Sequence, residues 1–292
     1  MAMSKKNHPE NPFAPGMVTI AGAGPGDPEL LTLKTLSRIK NAGAIVYDAL
    51  VPGEIQALFP AGAQLFPAGK RAGDPLSSTQ ASIHGLLERL ARSGLAVLRL
   101  KGGDPFIFGR GGEEALYLRE RGIPFEVLPG VSSVNGAAAA ALVPLTHRGV
   151  SRSFTVLQGA PALLDRIDWP ALAALGGTWV FLMAGRTARE IAQRLIAAGA
   201  ERDLPMVAVE NATLERQAVT RNTLAGFAGR DFVPLTGGPV LLLAGPTAGL
   251  DLSPFTMDAE HAGTLPGIYE ALRQNGADRR WRKAGPAEAG HP

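Results

Sequence analysis

The chain contains no cysteine. That removes a disulfide framework, a thiolate metal site and a cysteine nucleophile together. No apolar run reaches membrane-spanning length, so no transmembrane helix is expected. The first sixteen residues are polar, carry three prolines and have no apolar core, which argues against a signal peptide. Charge is sparse at 19% and hydrophobic residues reach 46%, a globular rather than disordered balance. A soluble, cytoplasmic protein without a bound metal is expected.

Glycine and proline are plentiful, at 36 and 23 residues, and imply many tight turns. A length of 292 residues suits two domains better than one. The net charge of +3 is of the sign that suits nucleic acid, but Arg279, Arg280, Arg282 and Lys283 near the C-terminus carry much of the surplus. The other basic residues are mixed with acidic ones and form no basic helix face, so a duplex is not the expected partner. Lys70, Arg71, Lys101, Arg110, Arg148 and Arg152 instead lie in or beside glycine-rich turns. Loop cations of this kind suit a small polyanion.

In order, the chain alternates. Residues 18–21 read as a strand ending in Gly22-Ala-Gly-Pro-Gly-Asp-Pro28, followed by a helix over 30–41. A strand over 44–47 delivers Asp48, a short helix covers 54–59, and a turn holds Gly69, Lys70 and Arg71. Ile83, Leu87 and Leu90 mark an amphipathic helix that Gly94 ends. Strands over 95–100 and 125–128 follow, separated by a helix to Arg121, and a small-residue helix covers 137–142. This alternation predicts an α/β fold with a mostly parallel first sheet. The pattern restarts near Pro144-Leu-Thr-His-Arg148, the expected domain boundary. Strands over 154–157, 178–183, 205–210, 217–224 and 239–244, with one clear helix over 187–198, predict a mixed second sheet. The expected division is a flexible leader 1–16, α/β domains 17–146 and 147–249, and a polar extension 250–292 with a helical candidate over 268–274.

The stretch Gly102-Gly-Asp-Pro-Phe-Ile-Phe-Gly-Arg-Gly-Gly-Glu-Glu114 is the centre of the pattern. Its glycines permit close approach, and its exposed aromatics, carboxylate and guanidinium suit a ligand partly flat and apolar, partly charged. The first turn, Gly22-x-Gly24-x-Gly26, approaches the dinucleotide fingerprint, and Asp48 closes the next strand as a ribose-binding carboxylate would. The last glycine of that fingerprint is replaced by Asp27, and Pro28 follows. The nicotinamide reading is therefore rejected in favour of a rigid turn packed on a ligand's face.

These pieces, with Tyr47-Asp48, Gly69-Lys70-Arg71, Arg99-Leu-Lys101, Pro129-Gly130 and Pro144 to Arg148, resemble the uroporphyrinogen-III C-methyltransferases over about residues 17–249. The shorter turns recur in the wider group of precorrin and diphthamide methyltransferases. The resemblance implies two α/β domains with S-adenosylmethionine in the cleft between them, and a homodimer. It implies methylation of uroporphyrinogen III at C-2 and C-7 to precorrin-2, with S-adenosylhomocysteine as the other product, feeding cobalamin, sirohaem or haem d1 synthesis. The alternatives are another precorrin-type methyltransferase or a nicotinamide-dependent reductase. By resemblance, Pro25, Gly102, Gly103, Asp104, Ile107, Ser132, Ser133, Met183 and Ala212 line the cofactor site. Lys70, Arg110, Glu113, Arg148 and Met183 are expected at the substrate, with Arg110, Glu113 and Asp48 as candidates for the chemistry. Ser132-Ser133 departs mildly from the family's usual Thr with Ser or Ala, and the extension after Gly249 has no family counterpart. No fused oxidase or ferrochelatase segment, as in multifunctional siroheme synthases, is expected.

Overall fold

The computed structural model describes residues 13–69 and 79–252. Five strands build the first sheet: β1 (Val18–Gly22), β2 (Ala44–Tyr47), β3 (Gln64–Pro67), β4 (Val97–Lys101) and β5 (Phe125–Leu128). Five more build the second: β6 (Phe154–Gln158), β7 (Thr178–Leu182), β8 (Pro205–Glu210), β9 (Ala218–Thr223) and β10 (Val240–Ala244). The helices are α1 (Leu33–Lys40), α2 (Gly53–Gln56), α3 (Gln80–Arg92), α4 (Gly111–Glu120) and α5 (Ser133–Ala140). In the second half come α6 (Pro161–Leu164), α7 (Trp169–Leu175), α8 (Ala188–Ala197) and α9 (Leu224–Ala228).

The first sheet runs β3-β2-β4-β1-β5, all parallel. Parallel strands need crossovers, and the crossover helices cover both faces. Alternation along each strand divides the core. Val18, Ile20, Ala44, Val46 and Val97 face Ile83, Leu87 and Leu90 of α3 and Leu118 of α4. Ala21, Ile45, Leu98 and Leu100 face Ile39 of α1 and Ile55 of α2. Because every strand points the same way, the turns after β1, β2, β4 and β5 emerge at one edge.

The second sheet runs β6-β7-β10-β8-β9 and is mixed: β6 and β7 are parallel, while β10 is antiparallel to both β7 and β8. Trp169, Leu172, Ile191 and Leu195 cover one face with Phe181 and Leu242. The other face, with Val180, Val207, Val209, Leu241 and Leu243, is covered by Val134, Ala137 and Ala138 of α5. Helix α5 follows the first sheet in sequence yet packs on the second, so the two halves share a core.

Several elements differ from expectation, each for a local reason. β3 falls where the sequence pattern assigns no element, between the expected helix over 54–59 and the turn at Gly69. It is an edge strand with Gln64 and Leu65 exposed, so it has no buried alternation to read, and Pro67 is tolerated at its end. Helix α1 starts at Leu33 rather than 30 because the Thr32 side chain caps it, accepting from the Thr35 N–H at 3.1 Å. Ser132 likewise starts α5 early, accepting from the Val134 N–H at 3.2 Å. Helix α7, also unforeseen, begins at Asp168, whose carboxylate accepts from the Ala171 N–H at 3.0 Å. Within the expected leader, Phe13 is buried and lies under the Arg38 guanidinium at 5.5 Å. The helical candidate at 268–274 and the extension past residue 252 lie outside the described residues.

Glu126 ties the sheet edge to α1. Its carboxylate accepts from Arg38 Nε at 2.6 Å and from Thr19 Oγ1 at 2.9 Å, and lies 3.0 Å from Lys34 Nζ. Burial alone would raise its pKa; the bonds from Arg38, Lys34 and Thr19 outweigh burial and lower it. A lowered folded value means this stability is complete above the ordinary glutamate range and drains as pH falls through the folded value. Glu126→Ala is expected to cost about 3 kcal/mol, since it strands the buried Arg38 charge. Urea melts at neutral pH check this; an unchanged midpoint would count against the clamp.

Candidate functional site

Three turns meet at the carboxyl edge of the first sheet. The Gly24 and Gly103 backbones pair, with Gly103 N–H to Gly24 O at 2.7 Å and Gly24 N–H to Gly103 O at 3.2 Å. A Cβ on Gly22 would sit 2.4 Å from Gly103 O, and one on Gly130 would sit 2.3 Å from the same oxygen. Only glycine fits at either position. Asp104 closes the junction: Oδ2 accepts from the Gly130 N–H at 3.1 Å and Oδ1 from the Phe106 N–H at 2.8 Å. The carboxylate is half-buried, and each oxygen has accepted one bond and has capacity for another.

The second sheet supplies the opposite wall. β7 and β8 are each antiparallel to β10, so they point the same way and end together. Met183 and Asn211 follow those ends with φ of 58° and 44°, and Thr213 with 68°. Thr213 Oγ1 accepts from the Asp27 N–H at 3.0 Å, which seats the first glycine-proline turn against the second half. Pro25 packs on α5, close enough that a Cβ on Gly136 would sit 2.7 Å from its Cγ. In the central loop Phe108 and Arg110 also adopt positive φ, 52° and 60°. Left-handed backbone at bulky residues is costly and gathers where a site needs it.

Between these walls the rim is apolar and open. Leu50, Phe106, Ile107, Phe108 and Met183 are all exposed. A cavity of about 480 Å³ is lined by Phe106, Phe108, Arg110, Glu113 and, from β6, Gln158. Arg110 grips Glu113 with its fork, Nε at 2.8 Å and Nη2 at 2.7 Å. That bond raises the Arg110 pKa and lowers the Glu113 pKa. A carboxylate so occupied is a poor base, and the pair, half exposed, is inexpensive to exchange for another carboxylate.

Behind the rim lies a charge network that sequence reasoning missed. Arg99 and Lys101 are buried at 1% and 3% exposure, and Glu114 at 0%. Glu114 Oε1 accepts from Arg99 Nε at 3.1 Å and Lys101 Nζ at 2.9 Å. Arg99 Nη2 donates to Asp48 Oδ1, while Lys101 Nζ stands 3.9 Å from Asp48 Oδ2. Burial pushes the Lys101 pKa down, helped by Arg99. Burial would raise that of Glu114, but Arg99 and Lys101 overcome it and lower it. The available signal was two cations alternating with leucines in an otherwise apolar strand, a pattern that demands a buried counter-charge.

The structure thus brings together Pro25, Gly102, Gly103, Asp104, Ser132 and Ser133 around the glycine junction, with Ala212 beside Thr213 on the opposite wall and Ile107 and Met183 on the rim. Arg110 and Glu113 line the adjoining cavity and Asp48 stands at the end of β2. Ser132, buried and capping α5, is a structural member of the group. Arg148 is not brought there. It lies with His147 and Arg152 around a separate cavity, on a hairpin bonded through Ser151 to Thr178 at the start of β7. The five residue steps from Thr178 along β7 to Met183, about 17 Å at about 3.3 Å per residue, separate it from the Met183 edge. Lys70 lies outside the described residues. The dinucleotide alternative lacks its defining feature: a short 3-10 turn follows Asp27 and α1 starts only at Leu33, so the helix that follows β1 does not begin on the first glycine turn.

The family model for tetrapyrrole (corrin/porphyrin) methylases matches residues 17–228. Siroheme synthase of Salmonella arizonae is 42% identical over 235 residues, covering 80% of this chain and 51% of its own length. Siroheme synthase of Methylobacillus flagellatus is 44% identical over 217 residues, 73% of this chain and 46% of its own. The chain therefore spans about half the length of the curated relatives it matches. Among solved structures, uroporphyrin-III C-methyl transferase from Thermus thermophilus, complexed with S-adenyl homocysteine, superposes with a TM-score of 0.68 at 38% identity, covering 79% of this chain and 98% of that one. A cobalt precorrin-4 methyltransferase superposes with a TM-score of 0.72 at 26% identity, covering 80% and 96%.

Proposed function

The chain belongs to the tetrapyrrole (corrin/porphyrin) methylase family, and from that premise we propose that it methylates uroporphyrinogen III twice, at C-2 and C-7, to give precorrin-2. The methyl donor is S-adenosylmethionine, bound in the cleft between domains 17–146 and 147–249, and the working form is a homodimer. The supporting observation is the glycine junction itself, which opens directly onto the apolar rim and the Arg110 cavity.

The residues present fit the donor. Ile107 and Met183 offer exposed apolar surface to adenine, and Asp104 offers an anion to the amino-acid or ribose end. Asn211 Oδ1, beside Ala212, is buried without a partner among the described residues. Bound S-adenosylmethionine supplies a methyl already activated on a sulfonium. The protein's share is positioning, and effective molarity contributes about 7–11 kcal/mol in well-oriented reactions. Uroporphyrinogen bears eight carboxylates, so Arg110, released from Glu113, binds one of them through its fork. Each transfer leaves a proton to be lost. Asp48 stands at the end of β2 with its side chain 26% exposed, and Arg99 takes only its Oδ1, so Asp48 is assigned as acceptor. Lys70 joins the carboxylate-binding set and precorrin-2 then serves sirohaem, cobalamin or haem d1 synthesis.

Calorimetry tests the cofactor half of this reading. S-adenosylhomocysteine is expected to bind at one site per chain and NADH not at all. Binding of NADH alone would overturn it.

A further inference from the structure

We propose that Glu114 is a positioning residue for methyl transfer: it holds Arg99, and Arg99 in turn fixes the Asp48 carboxylate that accepts the proton. The proposal rests on the assignment of Asp48 made above.

The strand dictates the arrangement. Side chains two apart on β4 share a face, so Arg99 and Lys101 point the way Val97 does, towards α3 and α4. A parallel strand buried on both faces normally carries apolar residues at such positions. Buried cations there are no route to extra stability, since well-packed apolar side chains do at least as well. Their retention at the strand end, beside the glycine junction, is explained by what they hold. Asp48 follows β2 and its N–H donates to Leu100 O at 3.1 Å, which places its side chain alongside Arg99 and Lys101.

Arg99 is the connecting piece. Its Nε donates to Glu114 and its Nη2 to Asp48, so neighbouring donors of one rigid guanidinium engage the two carboxylates. Glu114 Oε1 accepts from three donors, Arg99, Lys101 and Gln80 Nε2 at 3.2 Å, while its Oε2 is buried without a partner among the described residues. Gln80 also meets His84 at 3.1 Å, and His84 stacks on Tyr117 at 4.7 Å. The guanidinium therefore cannot turn without breaking its bond to Glu114 on α4, which Gln80 of α3 also holds. One Asp48 oxygen is committed to Arg99; the other lies 3.9 Å from Lys101 Nζ on a side chain that is 26% exposed.

A double-mutant cycle reads this coupling directly. Glu114→Gln is expected to lower kcat by about 10- to 100-fold with KM for both substrates little changed, the scale of a misplaced reactive group. Asp48→Asn is expected to lower kcat by at least as much. In the Asp48→Asn background, Glu114→Gln should then cost no more than about threefold, because the group it positions is gone. Full additivity would overturn the positioning role while leaving Asp48 as acceptor. Near wild-type turnover in Asp48→Asn would overturn both. Calorimetric binding of S-adenosylhomocysteine certifies folding of each variant. Should Glu114→Gln fail that check, Arg99→Lys, which keeps the charge but cannot span both carboxylates, takes its place in the cycle with the same expected outcomes.

Discussion

Gly130→Ala is expected to abolish S-adenosylhomocysteine binding and to destabilise the fold by about 3 kcal/mol. The added methyl would lie 2.3 Å from the carbonyl oxygen of Gly103 and 2.8 Å from the Cα of Gly22. Both neighbours are backbone, so no side chain can move aside. Relief requires β5 to draw away from β1 or the 102–104 turn to lift, and either breaks the bond from the Gly130 N–H to Asp104. The proposed cofactor site draws on these three turns together with Met183 and Ala212, and the Gly130–Asp104 bond is one of the contacts that hold the turns together. Gly85→Ala is the control. It lies inside α3, where a Cβ would meet only the flexible Arg89 side chain at 3.5 Å. It is expected to stabilise by about 0.5–1 kcal/mol and to leave binding alone. Calorimetry and urea melts on both variants decide; wild-type affinity in Gly130→Ala would mean that the junction is not part of the cofactor site.

Arg110→Lys is expected to reduce methyl transfer about a hundredfold while S-adenosylhomocysteine affinity stays near wild type. Arg110 sits at the N-terminus of α4 with φ of 60°, locked there because Gly111 N–H donates to Pro105 O at 2.9 Å behind it. Its fork now holds Glu113 by two bonds, the geometry that a substrate carboxylate would take over. An ammonium keeps the charge and loses the paired donors, so the ring's tilt towards the methyl donor is no longer fixed. Arg152→Lys, on the hairpin at the far edge of the second sheet, is expected to be mild. Near wild-type turnover in Arg110→Lys would show that charge suffices; equal losses of binding and turnover would move Arg110 into the cofactor pocket.

Much of this molecule is legible in its sequence, and the exceptions have physical causes. The parallel sheet follows from runs such as Val97 to Leu100, and α3 follows from Ile83, Leu87 and Leu90 with Thr79 before and Gly94 after. The glycine turns announce the junction because close approach leaves no other residue possible. What escapes is whatever depends on partners distant in sequence. Glu114 reads as an ordinary acidic residue in a first helical turn, and only the fold shows it buried between Arg99 and Lys101. Arg148 reads as a loop cation like Arg110, yet the length of β7 sets it at the other edge. β3 is short, exposed and ends in proline, so no pattern marks it. Helix α5 looks like part of the first half, and only its apolar face reveals that it covers the second sheet.

The most direct measurement is a methyl count. Incubation of the protein with uroporphyrinogen III and isotope-labelled S-adenosylmethionine, followed by mass spectrometry of the tetrapyrrole, is expected to show two labelled methyl groups on the product and S-adenosylhomocysteine released in twofold excess over it. Unmodified uroporphyrinogen III, with label transferred only when a later precorrin is supplied, would contradict the account.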